Sequence, residues 1–144
     1  MPEDTVALAA DHAGHELKDA LKAEVAARGL GVLDLGVGDG AAVDYPDVAD
    51  ALAAALADGR ARRGVVVCGT GIGVSIAANR HRHVRAALCH DVTTAKLARR
   101  HNDANVLALG ARVVSPNVAA DCLAAFLDTP FEGGRHRRRV DKLR

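Results

Sequence analysis

Apolar positions along the chain switch period repeatedly, and the switches mark alternating strands and helices. Thr5-Val6-Ala7-Leu8-Ala9-Ala10 is a continuous apolar run. It predicts a buried strand ending at Asp11-His12. From Gly14 to Arg28 the spacing is helical: Leu17, Leu21 and Val25 fall four apart, and Gly29 fits the stop. Gly31–Leu35 predicts a second strand, followed by a loop rich in Gly and Asp. Pro46 opens a helix to about Ala57, which Asp58-Gly59 ends. The third strand, Gly64–Val67, drives into a glycine turn, and Ile72 to Asn79 (IGVSIAAN) begins its helix. Val84–Cys89 predicts a fourth strand, Thr93–Arg100 a helix capped by Asp91, and Val106–Leu109 a fifth strand. Ser115 as N-cap and Pro116 at the first helical position open a helix to about Leu127. Asp128–Gly134 reads as a turn, and the basic tail from Arg135 as a last helix.

Five strands alternating with helices predict an α/β fold: a three-layer, doubly wound (Rossmann-like) domain on a five-stranded parallel sheet. Residues 1–144 read as one domain, with no internal repeat or linker. Ligands in such folds bind beyond the carboxyl ends of the strands. The notable polar residues follow those ends: Asp11-His12, Cys68, His90-Asp91 and Arg112.

Composition narrows the function classes. No stretch of about 18 apolar residues exists, so no transmembrane helix is expected. MPEDTVALAAD lacks a basic region followed by an apolar one, so no signal peptide is read. Cys68, Cys89 and Cys122 are odd in number and form no CxxC pair. That argues against a disulfide scaffold or a zinc site and for a reducing cytoplasm. Residues 1–60 carry 4 Lys/Arg against 12 Asp/Glu, and residues 61–144 carry 15 against 6. Either the halves attract one another, or the basic half gathers around an anionic ligand.

The glycine turn, Cys68-Gly69-Thr70-Gly71-Ile72-Gly73, holds the most chemistry. Its glycines bring backbone N–H groups close to an anion, and the helix that follows favours negative charge at its start. A thiol beside such a concentration of donors is expected to ionise more easily than a free one. A dinucleotide fingerprint is denied by spacing, because GxGxG ends in Val74 where GxGxxG needs Gly. No GK[ST] follows, so it is not a Walker loop either. Cys89 and Cys122 lie among apolar neighbours and read as core. Asp11-His12 fits a helix cap and surface histidine as well as a site. His101-Asn102 follows Arg99-Arg100 at a helix end, where histidine commonly serves the dipole. The run Arg135 to Arg139 is either a solvated tail or a helix presenting Arg135 and Arg139 on one face. Such a pair grips a phosphate well. With aromatics at 2%, the stacking platform that single-stranded nucleic acid needs is missing. The histidines are scattered, without an HxxxH pair, so no metal set is read.

Five ordered landmarks run the length of the chain: DHAGHELK (11–18), DYPD (44–47), CGTGIGVSIAAN (68–79), RRHNDANVLALGARV (99–113) and FEGGRHRRRV (131–140). Together they resemble the type B ribose-5-phosphate isomerases, within the wider family that includes the galactose-6-phosphate isomerase subunits. The resemblance implies an aldose–ketose isomerase without metal or cofactor, interconverting ribose 5-phosphate and ribulose 5-phosphate. It also implies a homodimer with active sites shared between subunits, or a tetramer of such dimers, and no nucleic-acid or membrane partner. By the same resemblance Cys68 matches the base between C1 and C2, and His101 the residue assisting ring opening. Asp11 and Thr70 match polar groups near the sugar, and Asp44 and Tyr45 line the pocket. Asn102 and the Gly69, Gly71, Ile72 and Gly73 amides match the holders of the enediolate oxygen. His12, Arg112, Arg135, His136 and Arg139 match the phosphate set.

Residue chemistry agrees with that expectation, since moving a carbonyl by one carbon needs a base and donors for an oxyanion. One family branch places a glutamate further along the loop instead of the cysteine. Cys68 is present here and position 72 is Ile, which sides with the cysteine branch. His15 stands where an aromatic is expected, and the Arg80–His83 loop is unusually basic. Allose 6-phosphate, galactose 6-phosphate or a tetrose phosphate are alternative substrates, and a non-catalytic sugar-phosphate or nucleotide sensor is the alternative of another class.

Overall fold

Apolar strands covered on both faces need two layers of helices, and the chain supplies them. The structure, a computed structural model, describes residues 4–36 and 43–144. The elements run β1 (Thr5–Ala10), α1 (His15–Ala27), β2 (Gly31–Asp34), α2 (Tyr45–Ala57), β3 (Arg63–Cys68) and α3 (Ile72–Asn79). They continue with β4 (Ala86–Leu88), α4 (Val92–Asn102), β5 (Val106–Gly110), α5 (Pro116–Asp128) and α6 (Arg135–Asp141). All pairings are parallel, in the order β2-β1-β3-β5-β4. The doubly wound α/β expectation holds. Much of the Gly- and Asp-rich loop after the second strand lies outside the described residues.

Successive strand residues point to opposite faces, and the core divides accordingly. Val6, Leu8, Val65, Val67, Leu107 and Leu109 pack with α1, α4 and α5. Ala7, Ala9, Val66, Cys68, Val106 and Ala108 pack with α2 and α3. The predicted α1 face of Leu17, Leu21 and Val25 is the one that is buried. Lys18 beside it is fully buried and donates to the Asp34 carboxylate at 2.8 Å, tying α1 to the end of β2. The Asp91 carboxylate accepts from the Thr94 amide at 2.7 Å, and the Ser115 hydroxyl accepts from Val118 at 3.2 Å. Both expected caps are therefore formed.

The fourth strand is shorter than the predicted Val84–Cys89. β4 is an edge strand, and side-chain amides take its first backbone groups. Asn79 accepts from the Ala86 N–H at 2.8 Å and donates to its carbonyl at 2.9 Å, while Asn105 accepts from the Arg85 N–H at 2.7 Å. The Asn105 bond takes the Arg85 N–H ahead of the strand, and the Asn79 pair at Ala86 blunts the outer edge. The α4 helix is longer than predicted. It runs to Asn102 and stops where Asp103 takes φ +47°, the left-handed conformation that Asn and Asp tolerate.

Candidate active site

At the carboxyl end of the sheet, β3 delivers Cys68 into the glycine turn. The thiol is nearly buried and accepts a hydrogen bond from the Gly71 N–H at 3.1 Å. That bond needs the backbone reversal at Gly71, whose φ is +77°. A Cβ there would stand 2.8 Å from the Leu109 carbonyl carbon, so only glycine fits. The Ile72 N–H donates to the Thr70 hydroxyl at 3.2 Å. Two of the amides assigned to the enediolate therefore already hold the sulfur and Thr70. Gly71, at the N-cap of α3, has no side chain to cover the helix start.

Other predicted residues converge on this turn. Arg112 donates its backbone N–H to the Gly69 carbonyl at 2.9 Å. Its guanidinium Nη1 lies 3.2 Å from the point a Gly69 Cβ would occupy. Tyr45 lays its ring over Gly73, where a Cβ would meet Cε1 at 2.7 Å. Neighbouring Asp44 is exposed at the start of α2. The Asp11 N–H donates to the Val67 carbonyl at 3.3 Å, which fixes the β1–α1 turn beside the end of β3. Asp11 is buried, and its Oδ1 accepts from the Ala13 and Gly14 amides at 3.0 and 3.1 Å. Asp11 therefore closes the turn ahead of α1 and does not cap the helix, whose N-cap is Gly14. His12 beside it is exposed.

The remaining candidates lie elsewhere. Helix α4 starts after the carboxyl end of β4 and returns antiparallel to the sheet, so His101 and Asn102 lie at the amino edge. Their surroundings confirm the placement. Arg85, just ahead of β4, donates to the Asp103 carbonyl at 2.9 Å, and Arg99 donates to the Ala104 carbonyl at 2.7 Å. A cavity of about 480 Å³ at this edge is lined by Asp4, Arg63, Arg85 and Arg99. Along β3, Arg63 and Cys68 mark the two edges, roughly 16 Å apart at strand rise. Helix α6 packs on α4, so Arg135, His136 and Arg139 share the far edge with His101. One chain therefore divides its candidates into two groups at opposite ends of the sheet.

His136 departs from a free phosphate ligand. Its side chain is buried, and its ring stacks on His101 with centroids 4.4 Å apart and planes 12° from parallel. Burial, the neighbouring His101 and Arg135 hold its pKa below the ordinary histidine value. Glu132, four residues before it, approaches its Nε2 at 3.6 Å. His101, Glu132 and His136 together could hold a metal ion, although the histidines are scattered in sequence. Only the Glu132-x-x-x-His136 spacing hinted at this grouping. Cys89 and Cys122 are buried core thiols, as expected. Burial pushes Cys89 up, and burial with nearby Cys89 pushes Cys122 up to about 11.

Residues 6–143 match the ribose/galactose isomerase family. The chain belongs to that family. Within it, ribose-5-phosphate isomerase B of Escherichia coli is 42% identical over 96% of this chain and 93% of its own. D-erythrulose-4-phosphate isomerase of Pectobacterium atrosepticum is 44% identical over 96% of this chain and 92% of its own. A ribose 5-phosphate isomerase structure from Thermotoga maritima superposes with a TM-score of 0.94 at 44% identity, covering 97% of each chain. The family's fold is thus present across the described residues.

Proposed function

We propose that the chain interconverts ribose 5-phosphate and ribulose 5-phosphate through a cis-enediolate. The observation that carries this is Cys68 at the carboxyl end of β3, its sulfur held by the Gly71 amide at 3.1 Å in a chain of this family. The thiolate takes the C2 proton of the open-chain aldose and returns it to C1, while the C2 hydroxyl proton passes to the C1 oxygen. The turn amides other than Gly71 and Ile72 offset charge on the enediolate, and Asn102 adds a side-chain donor. His101 assists opening of the furanose, with Asp11 and Thr70 near its hydroxyls. Asp44 and Tyr45 line the pocket. Arg112, Arg135, Arg139 and His12 hold the phosphate, which keeps a small sugar in register. None of these roles calls for a cofactor.

The site is completed by a second copy of the chain. Cys68 and Arg112 lie at one end of the sheet, and His101, Asn102 and the α6 arginines at the other. A two-fold dimer that sets one chain's carboxyl edge against its partner's α4–α6 end unites them twice. Such an enzyme suits the cytoplasm; among the described residues no helix is long and apolar enough to cross a membrane. A tetrose phosphate is the second reading, supported by the similarity to the Pectobacterium enzyme. Turnover across pentose, tetrose and hexose aldose phosphates tests the proposal. Fastest turnover of ribose 5-phosphate is expected, and a preference for another sugar would reassign the substrate. Solvent deuterium entering at C2 of bound sugar separates an isomerase from a sensor; its absence would leave only binding.

A further inference from the structure

The grouping of His101, Glu132 and His136 reaches beyond sugar chemistry. One ligand atom from each lies within 4.8 Å of the others. His101 is on the last turn of α4, His136 on the first turn of α6, and Glu132 on the connection before α6. The Glu132 N–H donates to the Arg100 carbonyl at 3.1 Å, which fastens that connection to the end of α4. We propose that these three side chains form a binding site for a borderline divalent cation such as Zn²⁺, and that its occupancy inhibits the enzyme by capturing His101.

Two imidazoles and a carboxylate, with a fourth position left open, form a donor set that Zn²⁺ accepts. Mg²⁺ and Ca²⁺ prefer oxygen donors, so the site discriminates against them. Zinc bonds of about 2.0–2.2 Å in a tetrahedron require ligand atoms roughly 3.4 Å apart. His136 Nε2 and Glu132 Oε1, at 3.6 Å, are nearly there. His101 must close the rest by turning out of its parallel stack on His136. In the single chain His101 is partly exposed and Glu132 is exposed, while buried His136 is the anchor. Arg100, Arg135 and Arg139 nearby oppose a cation; all three are exposed in the single chain, where solvent and salt screen them. The binding claim is independent of the proposed substrate; only the inhibition rests on the ring-opening role of His101.

The test uses full-length protein freed of metal with EDTA and titrated with Zn²⁺ alone, by calorimetry and by competition with a chromophoric chelator. One Zn²⁺ per chain is expected, with no response to Mg²⁺. Glu132→Gln and His136→Gln should each weaken binding about tenfold or more, whereas Cys68→Ser should keep it. Circular dichroism checks that His136→Gln folds, and exposed Glu132 supplies the safer variant. For the wild type and Glu132→Gln, turnover with and without Zn²⁺ gives a ratio. It should fall in the wild type, recover with EDTA, and change far less in Glu132→Gln. Absent binding, or binding lost with Cys68→Ser but kept in Glu132→Gln, overturns the site. Neither result touches the isomerase assignment, which is read from turnover in EDTA. Binding without inhibition would overturn the capture of His101.

Discussion

Two inactive variants should restore each other if the active site spans two chains. Cys68→Ala removes the proposed base at the carboxyl end of β3, and His101→Ala removes the residue proposed to open the ring, at the far end of α4. The roughly 16 Å between those edges prevents one chain from using both in one site. In a dimer of one Cys68→Ala chain and one His101→Ala chain, one shared site carries both lesions and the other carries none. A purified heterodimer should therefore show about half the wild-type turnover, and a randomly reassorted equal mixture about a quarter. The assay is co-refolding or co-expression with two affinity tags, tandem purification, and ribulose 5-phosphate formation. Each variant alone serves as the baseline, and mass measurement confirms the mixed species. A verified heterodimer no more active than the better parent would refute the shared site.

Further outcomes follow from the same geometry. Cys68→Ala should lower kcat by about 10²–10⁴-fold with unchanged circular dichroism and retained sugar-phosphate binding by calorimetry; near-normal turnover would remove Cys68 as the base. Gly71→Ala must hold a side chain at φ +77° against the Leu109 backbone, at a cost of about 2–4 kcal/mol. A lowered Tm together with lost turnover is expected, and an unchanged Tm would refute the close packing. Burial pushes the Asp34 carboxyl up, but hydrogen bonds from Lys18, Lys22 and the Gly36 amide outweigh it and bring its pKa below the ordinary value. Its contribution is therefore present above the ordinary carboxylate pKa and is lost as pH falls through the lower folded value. Asp34→Asn should cost about 2 kcal/mol at neutral pH, less than a fully buried broken pair, because Lys18 keeps Asp19 at 3.6 Å. Urea melts of both proteins should converge in acid, and a pH-independent gap would contradict the linkage.

Local rules carried far in this chain because its strands and helices are locally consistent. Short apolar runs mark the third and fifth strands as buried strands, and Ser115-Pro116 and Asp91 supply the capping groups that start helices. The glycine turn after Cys68 was legible for a similar reason, since its close backbone approaches tolerate no side chain. Where the reading fell short, non-local contacts decided. β4 starts later than predicted where Asn105 occupies the Arg85 N–H, a contact not visible from local periodicity. His136 reads from the basic run as one tail residue among several and by the resemblance as a phosphate ligand, yet packing against α4 buries it on His101.

The sequence by itself determined the alternation of strands and helices, the parallel sheet, the placement of Cys68 at a strand end and the family landmarks. These depend on period, on turn chemistry and on short motifs, all of which act within a few residues. Only the tertiary structure decided which candidates share a space. A helix returning along a parallel sheet carries its last turn to the opposite edge, so His101 leaves the Cys68 end and meets Glu132 and His136 instead. That separation comes from the handed, antiparallel return of each helix between parallel strands, a property of the whole sheet that no single motif contains.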